Sequence, residues 1–440
     1  MPPSLSQRAY RRLYIALSLL LLLHFYALYT RYFPTNEITL STTGDADDDT
    51  CPPLPALQNT LIVLKTGVTE AHAKLPIHRT TTLRCIPPQN YIVWSDYEES
   101  IADIPVHDVL YNESSHLHQL PEFTLYEKVR AQGRDALTNT DLADDISTPF
   151  GKSNPGWKLD KWKFVPMVEH TYRNYPGRDW YVFMEADTYI LWKSMFAWLE
   201  GFDPSEPFYL GNQMQIRDVL FAHGGSGFVI SGKAMERAAA ELENRRDYWD
   251  GITGEEWAGD CVLGRLLKEA GVDLTWSWPM LQLAPPKEID HFGGNYGRLQ
   301  WCYPAVSFHH LKPREIEELA ALERRWRKKN GNQVLLWRDV FYELGRPKMG
   351  TGPVEDWDCE AGEEKRVVKT AEECRRICEL DRYCLQYVRR PDGMCAIGRD
   401  ARVGEKRDGF TSGWMLERID KVAKKYGTCP KTNWVTSSYS

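Results

Sequence analysis

Residues 180–189 read Trp180-Tyr181-Val182-Phe183-Met184-Glu185-Ala186-Asp187-Thr188-Tyr189, an apolar run that stops at two carboxylates. A continuous apolar run of this length suits a strand buried on both faces, as in a parallel sheet covered by helices. Ligands of open α/β sheets sit at the carboxyl ends of strands. Glu185 and Asp187 stand at such an end, and positions i and i+2 of an extended chain share a side. Paired carboxylates suit a hard divalent cation. A cation held there neutralises a diphosphate leaving group. The competing reading is two solvated carboxylates in a turn.

The surrounding sequence repeats the strand pattern. Leu61-Ile62-Val63-Leu64 and Tyr91-Ile92-Val93-Trp94 are further buried-strand segments. Helical patterns cover 158–174, 232–246, 259–270 and 313–329. In the last, Pro313 suits a first turn and Glu315, Glu317 and Glu318 favour the helix start. Strands alternating with helices predict an α/β domain over 57–345.

Three other segments carry chemistry. Gly224, Gly225, Ser226 and Gly227 precede another apolar strand. Glycines there let the backbone approach a ligand, although an ordinary bulge uses them too. Asp260 opens the 259–270 helix, where a capping role accounts for it. Beside an acceptor hydroxyl the same carboxylate is a general base. Ser307-Phe308-His309-His310 follows an apolar pair. A lone His is usually structural, but one brought to the acidic pair completes a cation site.

The chain has 440 residues, enough for two or three domains. Hydrophobic residues are 42% and charged residues 26%, which excludes wholesale disorder. With 54 basic against 61 acidic side chains, it lacks the basic footprint of a nucleic-acid binder. Sixteen Trp and 22 Tyr supply flat rings that suit sugar faces as well as cores.

Leu13 to Tyr29 is uncharged and follows Arg8, Arg11 and Arg12. This predicts a cytoplasmic tail over 1–12 and a short transmembrane signal-anchor over 13–29, in type II orientation. A cleaved signal peptide is the competitor, but no small-residue cleavage site follows. The short span fits an early secretory or Golgi membrane. Residues 30–56, with their acidic cluster, read as a stem, and the rest of the chain is expected to be lumenal. Asn112-Glu113-Ser114 is a glycosylation sequon.

Together these segments resemble family 31 glycosyltransferases, in particular the core 1 β1,3-galactosyltransferases and the Fringe enzymes, over about 57–312. Leu64-Lys65-Thr66-Gly67 looks like the family's opening strand and turn. Glu185-Ala186-Asp187-Thr188-Tyr189 stands where the family has a D-x-D-type triplet followed by Thr-Tyr. Gly224-Gly225-Ser226-Gly227 resembles its G-G-[SA]-G loop. Glu256 to Gly264 resembles its E-D-x-x-x-G segment, and Ser307-Phe308-His309 its S-F-H. Two departures are plain: the triplet reads Glu-Ala-Asp, and Gly259 precedes Asp260 where relatives have an acid. The resemblance implies a GT-A fold, a UDP-sugar donor, Mn²⁺ and inverting transfer to a glycan acceptor such as O-linked GalNAc, with a β1,3 linkage. It implies metal ligation by Asp187, His309 and Glu185, with Asp187 the safer carboxylate. Asp260 becomes the base. The resemblance places Thr66, Gly67, Asp96 and Asp187 on the donor side and Gly224, Gly225 and Ser226 in the acceptor-side loop, although Ser95-Asp96 also reads as a turn cap. The same fold accommodates GlcNAc or glucose donors, or a non-catalytic carbohydrate-binding protein.

Met349-Gly350-Thr351-Gly352-Pro353 reads as a linker, after which residues 355–430 are rich in cysteine. Thr370 and Glu373 form a capping-box pattern, so a helix is expected to carry Cys374 and Cys378. Cys359, Cys374, Cys378, Cys384, Cys395 and Cys429 allow fifteen pairings. Zinc is the competitor, but no C-x₂-C pair occurs and the expected compartment is oxidising. The segment resembles a PAN/Apple module, a small α+β domain, which implies bridges 359–429, 374–395 and 378–384. Cys51–Cys85 and Cys261–Cys302 are candidate further bridges, and 431–440 is expected to be a tail.

Overall fold

The computed structural model describes residues 51–142 and 155–438. The tail, signal-anchor and most of the stem expected from the sequence lie outside the described residues. Among the described residues no helix is long and apolar enough to cross a membrane.

The three apolar runs are the centre of one sheet. Its strands are β1 (Thr60–Lys65), β2 (Tyr91–Ser95), β3 (Glu99–Ile101), β4 (Ile104–Asp108), β5 (Trp180–Glu185), β6 (Tyr209–Gly211), β7 (Phe228–Ser231) and β8 (Leu274–Trp276). Their order is β8-β6-β7-β5-β1-β2-β4-β3. The β5-β1-β2-β4 centre is parallel, and β7 enters antiparallel between β5 and β6. The period-2 rule divides the core in two. Ile62, Leu64, Val182 and Met184 pack on one face, while Leu61, Val63, Tyr181 and Phe183 pack on the other. All eight are at most 1% exposed, which accounts for runs without a polar residue.

The second face is covered by α1 (Pro155–Asp160), α2 (Phe164–Asn174), α3 (Gly232–Glu255) and α4 (Gly259–Glu269). The expected 158–174 helix is thus α1 and α2 joined by the 3-10 turn Lys161–Lys163. On the first face, α5 (Pro313–Asn330) buries Ile316, Leu319 and Leu322.

The cysteine-rich segment has its own sheet. It contains β9 (Val354–Asp358), β10 (Glu363–Val367), β11 (Gln386–Arg389), β12 (Met394–Gly398) and β13 (Glu405–Trp414), in the order β9-β13-β11-β12-β10. Across it lies α6 (Ala371–Leu380), whose N-cap Thr370 accepts from Glu373 N–H, as the capping pattern predicts. Cys374–Cys395 and Cys378–Cys384 tie this helix down. The final helix is α7 (Leu416–Tyr426).

The other expected bridges need correction. Cys429 pairs with Cys302, so neither 359–429 nor 261–302 forms, and Cys261 and Cys359 are free and buried. The cause is the path of the chain after α7. Trp301 Nε1 donates to Gly427 O (3.0 Å) and Asn433 N–H donates to Cys302 O (2.9 Å), so packing draws Cys429 to the α/β domain. Cys359 is left inside the small sheet, its thiol 3.4 Å from Tyr387 O. Cys51 and Cys85 are each disulfide-bonded.

The return continues beyond the bridge. Val435 is fully buried, and its carbonyl accepts from Trp198 Nε1 (2.7 Å). The small sheet is not a pendant either: Phe292, Trp301 and Phe341 share one apolar cluster with Val388, Trp414 and Ile419. Met349, expected in a linker, is buried in that cluster.

Candidate active site

Strand register builds the site. Lys65 ends β1 directly opposite Glu185, which ends β5. The Lys65 ammonium lies 2.6 Å from Asp160 and 3.2 Å from Glu185. Burial alone would lower its pKa; the two carboxylates outweigh burial and hold it above the usual lysine range. Burial raises Glu185 despite Lys65, whereas Asp160, the closer partner, is held low by Lys65 and Lys163 against its own burial.

One residue on, Ala186 is buried and its carbonyl meets His78 Nε2 at 2.8 Å. The middle of the triplet thus faces the core, which explains how alanine serves there. Asp187 turns back to the pocket, with Oδ2 3.2 Å from Lys74 Nζ. Ser307–Phe308 then pairs antiparallel with Tyr189–Ile190, in the register Phe308↔Tyr189. Extending that register places His309 beside the Asp187–Thr188 corner. His309 Nε2 lies 3.2 Å from Asp187 Oδ1, and Leu311 N–H donates to Asp187 O (3.0 Å). Burial would raise Asp187; His309 and Lys74 reverse this and hold it well below the usual carboxylate range. His309 is raised, because Asp187 outweighs the burial that would lower it.

Asp187, His309 and His310 each bring one ligand atom within 4.8 Å of the others. One carboxylate and two imidazoles fit a divalent transition metal. Glu185 is engaged with Lys65 and stands outside that trio, and His310 takes the third place. Burial lowers His310 to about 4 and His223, beside His309, to about 3, so both are neutral at physiological pH.

The glycine segment seals the pocket. A β-carbon on Gly225 would overlap the His309 imidazole, and one on Gly224 would lie 2.9 Å from Glu185 Oε1. Thr188 Oγ1 donates to Gly225 O (2.7 Å) and Ser307 Oγ to Ser226 O (2.5 Å), fixing the turn to both ligand-bearing segments. Across it, Gly224 N–H donates to Asp260 Oδ2 (2.9 Å). Asp260 therefore lies one peptide unit from Glu185. Burial and the Glu185 charge push Asp260 up to about 6. Gly259 has a steric cause as well: a side chain there would overlap the Phe164 ring and the Lys161 backbone. An acidic residue at 259 does not fit this packing.

Thr66 and Gly67 form the turn after β1. Lys163 Nζ donates to Thr66 O (3.0 Å), and Asp96 Oδ1 accepts from Val68 N–H (2.6 Å). Asp96 is buried and braces this turn. Asn112 is exposed, as a sequon requires.

Asp187, His309, Glu185 and Asp260 were readable from the sequence and converge. Lys65, Lys74, Asp160 and His310 were not singled out. Lys65 and His310 each lie within a quoted segment, but neither was given a role there. Lys74 and Asp160 sit on short helices where a charged residue reads as solvated.

An α/β sheet with acids at a strand end, an imidazole cluster and a buried carboxylate across a glycine turn can hold a divalent cation beside a general base. Residues 152–312 match the family model described as Fringe-like. That stretch holds the acidic pair, the glycine turn, Asp260 and both histidines, and it supports a glycosyltransferase of Fringe-like type.

Proposed function

We propose that the chain is a metal-dependent, inverting glycosyltransferase of GT-A type. It moves a sugar, in the first instance galactose, from a UDP-sugar to a glycan such as O-linked GalNAc and forms a β1,3 linkage. The meeting of Asp187, His309 and His310 with Asp260, across one glycine turn, carries this reading.

Asp187, His309 and His310, with Glu185 alongside, would hold Mn²⁺, which when bound neutralises charge developing on the diphosphate. Lys65 and Lys74 add fixed positive charge to the same pocket. Thr66, Gly67 and Asp96 shape the nucleotide side. Asp260, poised near pH 6, takes the proton of the acceptor hydroxyl. As that oxygen bonds to the donor carbon, the bond from carbon to the phosphate oxygen breaks, and UDP leaves with the electron pair. Attack opposite the leaving group inverts the carbon. The chain is assigned to a Golgi or secretory-pathway membrane, in type II orientation, with the small disulfide-tied sheet as a PAN/Apple-like module.

The test is a panel of UDP-sugars with Mn²⁺ and glycan acceptors, followed by linkage analysis. Transfer that is lost in D187A and D260N supports the proposal. The Lys65–Glu185 ion pair favours a second reading, a carbohydrate-binding protein without turnover. Glycan binding with no transfer from any donor would establish that alternative.

A further inference from the structure

Two tryptophans stand in the segments that lead into Asp160 and Asp260, and the chemistry above does not use them. Trp257 is 46% exposed, three residues before Asp260. Its indole stacks on Trp157, with centroids 6.3 Å apart and planes 22° from parallel. Exposed indoles leave a large apolar face in water, and covering it with a flat partner is favourable.

The pair is held in place. Lys161 Nζ donates to Gly254 O (3.2 Å) and Glu256 O (3.0 Å), tying the Trp257 loop to the turn that follows Trp157. Gly259 lets that loop press against Lys161 and Phe164. Each ring also precedes a pocket carboxylate by three residues. Trp157 precedes Asp160, which holds Lys65, and Trp257 precedes Asp260, which holds Gly224. On α1, positions i and i+3 share a face, so Trp157 lies on the Asp160 side of that helix.

A pyranose ring presents an apolar C–H face and a rim of hydroxyls. A flat aromatic beside a carboxylate matches both at once. We propose that the Trp157–Trp257 pair is the platform for the acceptor pyranose. The C–H face of the ring lies on Trp257, Trp157 backs that indole, and the reacting hydroxyl faces Asp260. This inference rests on the glycosyltransferase reading and adds to it the surface that orients the acceptor.

The experiment is steady-state kinetics with UDP-galactose, Mn²⁺ and p-nitrophenyl α-N-acetylgalactosaminide as the acceptor probe. W257A is expected to raise the acceptor KM at least tenfold while the donor KM moves less than twofold. W257F is expected to recover most of the loss, and W157A to raise the acceptor KM several-fold. Y383A, which removes an exposed ring on the small sheet domain, is the control and keeps wild-type constants. An acceptor KM within twofold of wild type in W257A overturns the platform. So does an effect that falls on the donor KM, because the ring would then serve the uracil. If the wild-type chain turns over no UDP-sugar, the transfer reading fails separately. Saturation-transfer NMR with the same probe then decides the platform: binding lost in W257A upholds it, and absent or unaltered binding overturns it.

Discussion

Replacing Asp260 by Asn should stabilise the protein at neutral pH while removing its activity. In the fold Asp260 titrates near 6, against 3.8 for the unfolded chain. The folded state therefore holds a proton at pH values where the unfolded state has released it. Stability is unpenalised below 3.8, falls as pH rises through this window, and carries the full cost above 6. The gap corresponds to about 3 kcal/mol at most. Asn has no proton to lose, and its side-chain oxygen still accepts from Gly224 N–H. Between pH 4.5 and 7.5 the advantage of D260N over wild type should grow by about 2 kcal/mol. Urea unfolding of both proteins in a chelator, at several pH values, measures this. A difference that is flat with pH, or shrinks as pH rises, refutes the assignment of Asp260 as a buried, poised carboxyl.

Other consequences are as direct. In G225A the new methyl collides with His309; Mn²⁺ binding by calorimetry should be lost, with a stability cost of about 1–3 kcal/mol. K65M removes the cation that Asp160 and Glu185 share, leaving Asp160 only Lys163, and should lower unfolding free energy by about 3–5 kcal/mol at neutral pH. The Cys302–Cys429 bridge closes a separation of 127 residues; C302S/C429S should cost up to about 5 kcal/mol in the chain-entropy account and make residues after α7 sensitive to limited proteolysis.

The central strands were legible because burial on both faces forces continuous apolar runs, as at Leu61–Leu64 and Tyr181–Met184. Asp187, Asp260 and His309 were legible because each interrupts or borders such a run. The steric need for glycine at 259 was not, since it arises from Phe164 and Lys161, almost a hundred positions earlier. Lys65 looked like an ordinary strand end until register set it against Glu185. The partner of Cys429 was hidden for a similar reason. Spacing within the cysteine-rich segment carries no information about a chain that leaves it and returns to Cys302.

That returning segment has a consequence for handling the protein. Val435 plugs the α/β domain beneath Trp198, and Arg298 grips the Ser437 and Ser438 carbonyls at 2.9 and 3.1 Å. The α/β part is therefore completed only when residues 433–438, which follow the small sheet in the chain, have packed back against it. Cutting at residue 345 to obtain a minimal enzyme would therefore leave an open seam in the very half it was meant to isolate.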